Sequence, residues 1–379
     1  MSGWTSSPVV KTTSRALQRS RLVGDARAMT RSSASSTGSS TLPVFHLPKP
    51  EASDTEHRSF ASSLVRTCHE IGFFYLCDHG AELSAEGVLE ASKEFFARPL
   101  EEKLEICYTK SPSFRGYMYE GCENTAGRTD KREQIEFGVE GLYDRDAAVF
   151  YERLVGPNQF PRDSTLREEV NEFHRRMDAL SRRVMSYIAL GLGLEQDYFE
   201  STFGDVPNVQ MKICRYPPTG SSDEFGVGEH SDTGYLSLLV QDKDVAGLQV
   251  KVNDTWIDAP PIAGSLVVNL GEMLQLCTQG YLLATPHRVR NTAASRSRYS
   301  IPYFWNPRLD YSVELIDLPD ELVWRRPAES RSFRSTGSHE GRNQVYECYG
   351  ANAFKSYARS HPKVMEAHHS DLNLEDLFS

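Results

Sequence analysis

Between about residues 205 and 310 the chain is cut into short runs of β-branched and aromatic residues. The runs fall at 208–216, 234–241, 247–252, 265–270, 287–290 and 298–305, with Gly, Pro, Asp and Asn between them. Many short strands broken by turn residues can share one core only by closing into a sandwich or barrel. This pattern constrains the fold more than any other in the sequence.

The flanking regions read as helices. Phe60, Leu64, Cys68 and Ile71 recur at helical spacing, Gly72 ends that helix, and Phe73–Leu76 is a short buried strand. A second helix covers about 84–97, with Val88, Leu89, Phe95 and Phe96 facing inward, and Pro99 starts a short third one. Residues 111–132 read as loop. The strongest helical signal is 164–190, where Leu166, Val170, Phe173, Met177, Leu180 and Val184 form one stripe. Thr165 and Glu168 are spaced for a capping box, and Gly191 and Gly193 supply the stop. At 1.5 Å per residue this helix is roughly 40 Å long, enough to back a whole domain. Residues 330–343 are polar and Gly/Ser-rich, as in a mobile insertion, and helical character returns from Val345 to His368. The fold class is therefore mixed α+β, with a helical region at 42–200, a strand-rich region at 201–310 and a C-terminal segment at 311–379.

Residues 1–41 stand apart. They carry six basic residues and one acid, Asp25, whereas the whole chain has a formal net charge of −10. Such an Arg/Ser-rich, acid-poor stretch reads either as a disordered tail or as an organelle transit peptide. Localisation is accordingly cytoplasmic or organellar. The acidic body lacks the basic footprint of a protein that binds nucleic acid or an anionic membrane. The expected partner is a small molecule, and the chain is expected to be a monomer or weak homodimer. Seven cysteines without a C-x-x-C pair fit neither a disulfide framework nor a thiolate zinc site, and point to a reducing compartment.

The chemistry lies in the strand region. His230 and Asp232 stand two apart, so at a strand end they face the same side, and His287 follows 55 residues after Asp232. Two imidazoles and one carboxylate on one face of an octahedral ion form the triad of non-haem Fe(II) oxygenases, with three positions left open. Eleven residues beyond His287, Arg298 and Ser300 share one strand face. A guanidinium fork and a hydroxyl there suit a carboxylate.

These motifs, in this order, resemble the isopenicillin N synthase-like branch of the Fe(II)/2-oxoglutarate-dependent oxygenases. The matching stretches are Leu42–Phe45, GFFYLCDHG at 72–80, FRGY at 114–117, RYPP at 215–218 and HSDTGYLSLLVQD at 230–242. They continue with GLQV at 247–250, GSLVVNLGEMLQLCTQG at 264–280, TPHRV at 285–289, RYSIPYFWNP at 298–307 and SHPKVMEAHH at 360–369. The resemblance implies a double-stranded β-helix, a distorted jelly roll, wrapped by helices. It implies Fe(II) on His230, Asp232 and His287, which are also the catalytic residues. It implies 2-oxoglutarate on Arg298, Ser300 and Tyr216, with O2 as the oxidant and succinate and CO2 as co-products. Isopenicillin N synthase itself uses its Arg-x-Ser pair for a substrate carboxylate, so the motif shows that a carboxylate binds without fixing which one.

If Tyr216 points inward, strand alternation sends Cys214 and Lys212 inward too. A buried lysine must either pair with an acid or serve as a hook for a substrate anion. Arg115, in the FRGY loop, is either a second hook or a surface arginine. Phe304 shares a face with Arg298 and Ser300, where it forms an apolar substrate wall or plain core. These residues point to a small carboxylated or phenolic metabolite that is hydroxylated, desaturated or cyclised. The competing readings are a ring-closing oxidase that uses no 2-oxoglutarate and a jelly-roll binding protein that holds no metal.

Overall fold

The computed structural model describes residues 41–122, 124–125, 128–218, 225–290, 295–323 and 346–373. Nearly all of the basic tail and the whole 330–343 insertion lie outside them. Residues Ser40–Ser379 form one compact unit.

In chain order the strands are β1 (Val44–His46), β2 (Phe73–Cys77), β3 (Gly116–Met118), β4 (Asn124–Thr125), β5 (Arg128–Thr129), β6 (Glu133–Gly138), β7 (Asn208–Tyr216) and β8 (Phe225–His230). They continue with β9 (Leu236–Gln241), β10 (Leu248–Val252), β11 (Thr255–Asp258), β12 (Leu266–Leu270), β13 (His287–Arg290) and β14 (Arg298–Asn306). The main sheet has the order β1-β2-β12-β9-β14-β7-β6-β3, and a four-stranded sheet has the order β11-β10-β13-β8. These two sheets are the walls of a double-stranded β-helix. Between them packs an apolar cluster that includes Phe73, Tyr75, Val227, Leu248, Val250 and Val267.

The N-terminal region is not a separate body. It lends β1, β2, β3 and β6 to the main sheet, and β6 pairs directly with β7. β6 falls just after the stretch that reads as loop. Its Glu-Gln-Ile-Glu-Phe-Gly sequence alternates, but three of its residues are polar and buried, so an apolar-pattern reading passes over it.

The helices are α1 (Asp54–Glu70), α2 (Glu82–Phe96), α3 (Leu100–Lys103), α4 (Leu166–Gly191), α5 (Glu200–Phe203), α6 (Glu272–Cys277), α7 (Asp320–Val323), α8 (Tyr349–Ser360) and α9 (Pro362–His368). α1 starts with a true capping box, because the Ser53 hydroxyl and the Glu56 carboxylate each accept from the other's backbone N–H. The capping box expected at Thr165 does not form. Thr165 already has helical backbone angles, which turn its hydroxyl away, and Ser164 accepts from the Leu166 N–H instead. α4 backs the outer face of the main sheet. Tyr303 and Trp305 of β14 reach it through bonds to His174 (2.8 Å) and Asp178 (2.7 Å). The C-terminal helix is two helices, broken where His361 precedes Pro362. Among the described residues no helix is long and apolar enough to cross a membrane.

Candidate metal centre and substrate cavity

The triad assembles across the smaller sheet. His230 ends β8 and lies opposite His287, the first residue of β13. Asp232 follows in the turn after β8. Its Oδ1 is 3.8 Å from His230 Nε2 and 3.7 Å from His287 Nε2, and the ligand atoms all lie within 4.8 Å of one another. That is the span of three donors around one small cation.

The surrounding bonds orient each donor. His230 Nδ1 meets the Gly228 carbonyl at 2.9 Å and His287 Nδ1 meets the Thr285 carbonyl at 3.3 Å. A ring nitrogen facing a carbonyl carries the proton, which leaves Nε2 as a lone-pair donor on both rings. Asp232 Oδ2 accepts from Ser237 Oγ at 2.6 Å and Asn269 Nδ2 at 2.7 Å, so Oδ1 is the oxygen presented inward. Burial and the neighbouring His287 push His230 down to about 4. Burial alone would raise Asp232, but the two histidines and the two donors outweigh it and hold the carboxyl below its usual range. A neutral His230 beside an ionised Asp232 suits a divalent ion. Nitrogen and oxygen donors on one open face fit Fe(II).

Arg298 and Ser300 begin β14, facing Tyr216 and Cys214 across the ladder. The Arg298 guanidinium is buried, lies 5.0 Å from the Tyr216 ring, and reaches Ser300 Oγ at 3.4 Å and Gln241 Oε1 at 3.3 Å. Its Nε has no partner, and among the described residues no carboxylate forms an ion pair with it. A buried cation held only by long bonds to neutral groups is suited to an incoming carboxylate.

Both sites open into one cavity of about 380 Å³. Tyr216, Lys212, Phe304, Arg298, Ser300 and the triad all line it, as the sequence places them. Cys214 does not line it. It is wholly buried in the apolar cluster, with its Sγ against Gln134 Oε1 of the neighbouring β6. Arg115 is absent from the wall as well. It is neither a surface residue nor a hook, because its guanidinium sits behind Tyr357 and donates to the Leu154 carbonyl at 2.7 Å and Tyr357 Oη at 3.3 Å. Lys212 reaches the cavity already paired with an acid, its Nζ 2.8 Å from Oε1 of the fully buried Glu136. Of the two readings of Lys212, pairing with an acid is the one the structure shows, and the residue lines the cavity as well.

Three groups of residues escaped the sequence reading. Glu136 and Gln134 lie on the unrecognised strand β6. Arg132, which precedes β6, lines the cavity and pairs with Asp130 at 3.2 Å. Ser356, Tyr357 and Ser360 on α8 form the wall facing the sheet. The period-two polarity of 133–138 is a signal for β6, and the helical periodicity after Val345 one for α8.

Residues 207–307 match the model of the 2OG-Fe(II) oxygenase superfamily, and residues 42–163 match that of the non-haem dioxygenase in morphine synthesis N-terminal family. The chain is 33% identical over 340 residues to the 2-oxoglutarate-dependent dioxygenase frbJ of Dothideomycetidae sp. (strain 11243), covering 86% of this chain and 91% of that one. It is 33% identical over 293 residues to homoarginine-6-hydroxylase 2-ODD-C23 of Glycine max, covering 75% and 84%. A full-length Neurospora crassa protein, crystallised in complex with alpha-KG, aligns with a TM-score of 0.68 at 26% identity, over 85% of this chain and 98% of that one.

The chain belongs to the 2-oxoglutarate-dependent Fe(II) oxygenases. It is a non-haem dioxygenase that uses Fe(II), 2-oxoglutarate and O2. Bound iron and 2-oxoglutarate supply the oxidation of a substrate C–H bond, coupled to conversion of the keto acid to succinate and CO2. His230, Asp232 and His287 would hold the ion, and the buried Arg298 guanidinium with the Ser300 hydroxyl would take the co-substrate carboxylate.

Proposed function

We propose that this oxygenase hydroxylates a small polar metabolite with no net charge. The observation that carries this reading is the charge balance of the cavity wall. Among the described residues its ionisable side chains, aside from tyrosines, are His230, Asp232, His287, Arg298, Arg132 and Lys212. Arg132 and Lys212 already face Asp130 and Glu136. With the cofactors in place, Fe(II) and Arg298 offset Asp232 and the dianionic 2-oxoglutarate. A net anion would then lack an uncompensated cation, and burying an unpaired charge is costly.

The relatives support a small substrate and hydroxylation. One is named a homoarginine-6-hydroxylase, and the Neurospora crassa protein has also been crystallised with thymine, which is uncharged. The cavity is at the small end for ligand sites, and 2-oxoglutarate takes part of it.

The test is a turnover screen over matched neutral, zwitterionic and anionic metabolites, reading succinate release and product mass together. Neutral or zwitterionic compounds should couple succinate to the gain of one oxygen atom. Coupled turnover confined to simple carboxylates or phenolates would overturn the charge argument. Products lacking two hydrogens would replace hydroxylation with desaturation or ring closure.

A further inference from the structure

The polar end of the cavity is built around a carboxylate that never reaches it. Glu136 on β6 is fully buried and lies opposite Lys212 in the ladder with β7. Its Oε1 accepts from Lys212 Nζ at 2.8 Å and Gln134 Nε2 at 2.7 Å. Its Oε2 accepts from Gln210 Nε2 at 3.2 Å, with His361 Nε2 at 3.6 Å. Gln210 and Lys212 are alternate residues of one strand, about 7 Å apart, and both line the cavity.

This arrangement fixes what each side chain shows the substrate. One Gln210 Nε2–H goes to Glu136, and the amide's carbonyl oxygen, an acceptor, has no bond among the described residues. Lys212 has no lone pair and can only donate. The wall thus offers one acceptor and one donor side by side. Lys212 also stands four residues, about 13 Å, along β7 from Tyr216, which pairs with Arg298. The pair and the 2-oxoglutarate anchor therefore serve opposite ends of the cavity.

We propose that Gln210 and Lys212, posed by Glu136, form a donor–acceptor pair that reads an amide-type group of the substrate, such as a carboxamide, lactam or cyclic imide. Such a group presents an N–H and a C=O together and satisfies both. A carboxylate meets Lys212 but sets its second oxygen against the Gln210 oxygen, two acceptors without a proton between them. Discrimination then comes from a mismatched polar pair as much as from the matched one. Glu136 is a positioning residue, since it acts only through the side chains that touch substrate. This inference rests on the uncharged-substrate reading and names the group that is recognised.

The test is anaerobic calorimetry on the full-length Fe(II)·2-oxoglutarate enzyme. The probes are isosteric amide and carboxylate pairs on aliphatic and aromatic frames, with cyclic imides included. Wild type should bind the amide or imide member at least tenfold more tightly in one or more pairs. Gln210→Leu, a cavity-wall change that leaves Glu136 and Lys212 together, should erase that preference. Glu136→Gln should reduce it in whatever fraction folds, an effect that lost stability alone would not produce. Equal or tighter carboxylate binding, failure of every probe to bind, or an unchanged preference in Gln210→Leu would overturn the proposal. Amide binding followed by no oxygen insertion would sink the hydroxylation reading and leave the recognition pair standing.

Discussion

Asn269 Nδ2 donates to Asp232 Oδ2 at 2.7 Å, a bond that leaves Oδ1 as the oxygen turned toward His230 and His287. Asn269 sits on β12 of the main sheet, whereas both histidines belong to the smaller one. The metal ligands are thus braced from both walls of the roll. Ser237 on β9 gives Oδ2 its second donor.

Removing either donor should weaken metal binding without removing a ligand. Asn269→Ala and Ser237→Ala are each expected to lower Fe(II) affinity by about 10–100-fold, the usual effect of losing a bond that orients a metal ligand. Competition against a chromogenic chelator under nitrogen measures this directly. Affinities within about twofold of wild type for both variants would show that the Asp232 orientation needs no brace.

Arg298→Gln should act on the co-substrate. It removes the buried fork and charge while keeping a polar side chain, so the KM for 2-oxoglutarate should rise by about 10–100-fold, the value of a charge-assisted bond. Ser300→Ala should cost only about 3–10-fold, since a neutral hydroxyl contributes less. Substrate-free 2-oxoglutarate turnover reads both without knowledge of the substrate. An unchanged KM in Arg298→Gln would mean the guanidinium serves the prime substrate instead.

The metal triad and the carboxylate fork were legible because each depends on spacing along one or two strands. Alternation places Arg298 with Ser300 on β14 whatever the rest of the chain does, and the short spacing keeps Asp232, in the turn just past β8, beside His230. What Lys212 meets was not legible, because its partner Glu136 lies 76 residues away on a strand whose polar residues conceal it. Arg115 was misplaced for a related reason. The sequence puts it in a loop, and only the packing of α8, from the far end of the chain, covers it. The α8 wall had helical periodicity, but nothing local says which sheet it faces.

Glu136 and Lys212 set the stability of the cavity's polar end. Glu136→Gln leaves Lys212, and His361 beside it, without their acid, and should cost about 3–5 kcal/mol in denaturant unfolding. Glu136→Gln combined with Lys212→Met should recover most of that loss. The pair also sets a pH dependence. Burial would raise Glu136, but Lys212 and His361 outweigh it and hold the carboxyl well below its ordinary value of 4.5. The unfolded chain therefore takes up the proton first, and the stabilisation present at neutral pH is lost as the pH falls through 4.5 and below. The stability of wild type relative to the double variant should drop over that range. A difference that stays flat with pH would show that Glu136 is not held ionised.

Arg115 is expected to act through Tyr357 rather than on substrate. Its guanidinium lies 5.7 Å from the Tyr357 ring, donates to that residue's hydroxyl, and is only 1% exposed. Tyr357 lines the cavity and Arg115 does not. Arg115→Met should cost about 1–3 kcal/mol of stability, because the buried Leu154 carbonyl loses its donor. In the folded enzyme it should raise the substrate KM no more than Tyr357→Phe does. The two changes should be non-additive in a double-mutant cycle, since both remove the same bond. A direct anion hook predicts the opposite pattern: additive losses, larger for Arg115→Met, and greatest for negatively charged substrates. The KM cycle on any turned-over compound separates the two, and additivity would return Arg115 to the substrate's side of the wall.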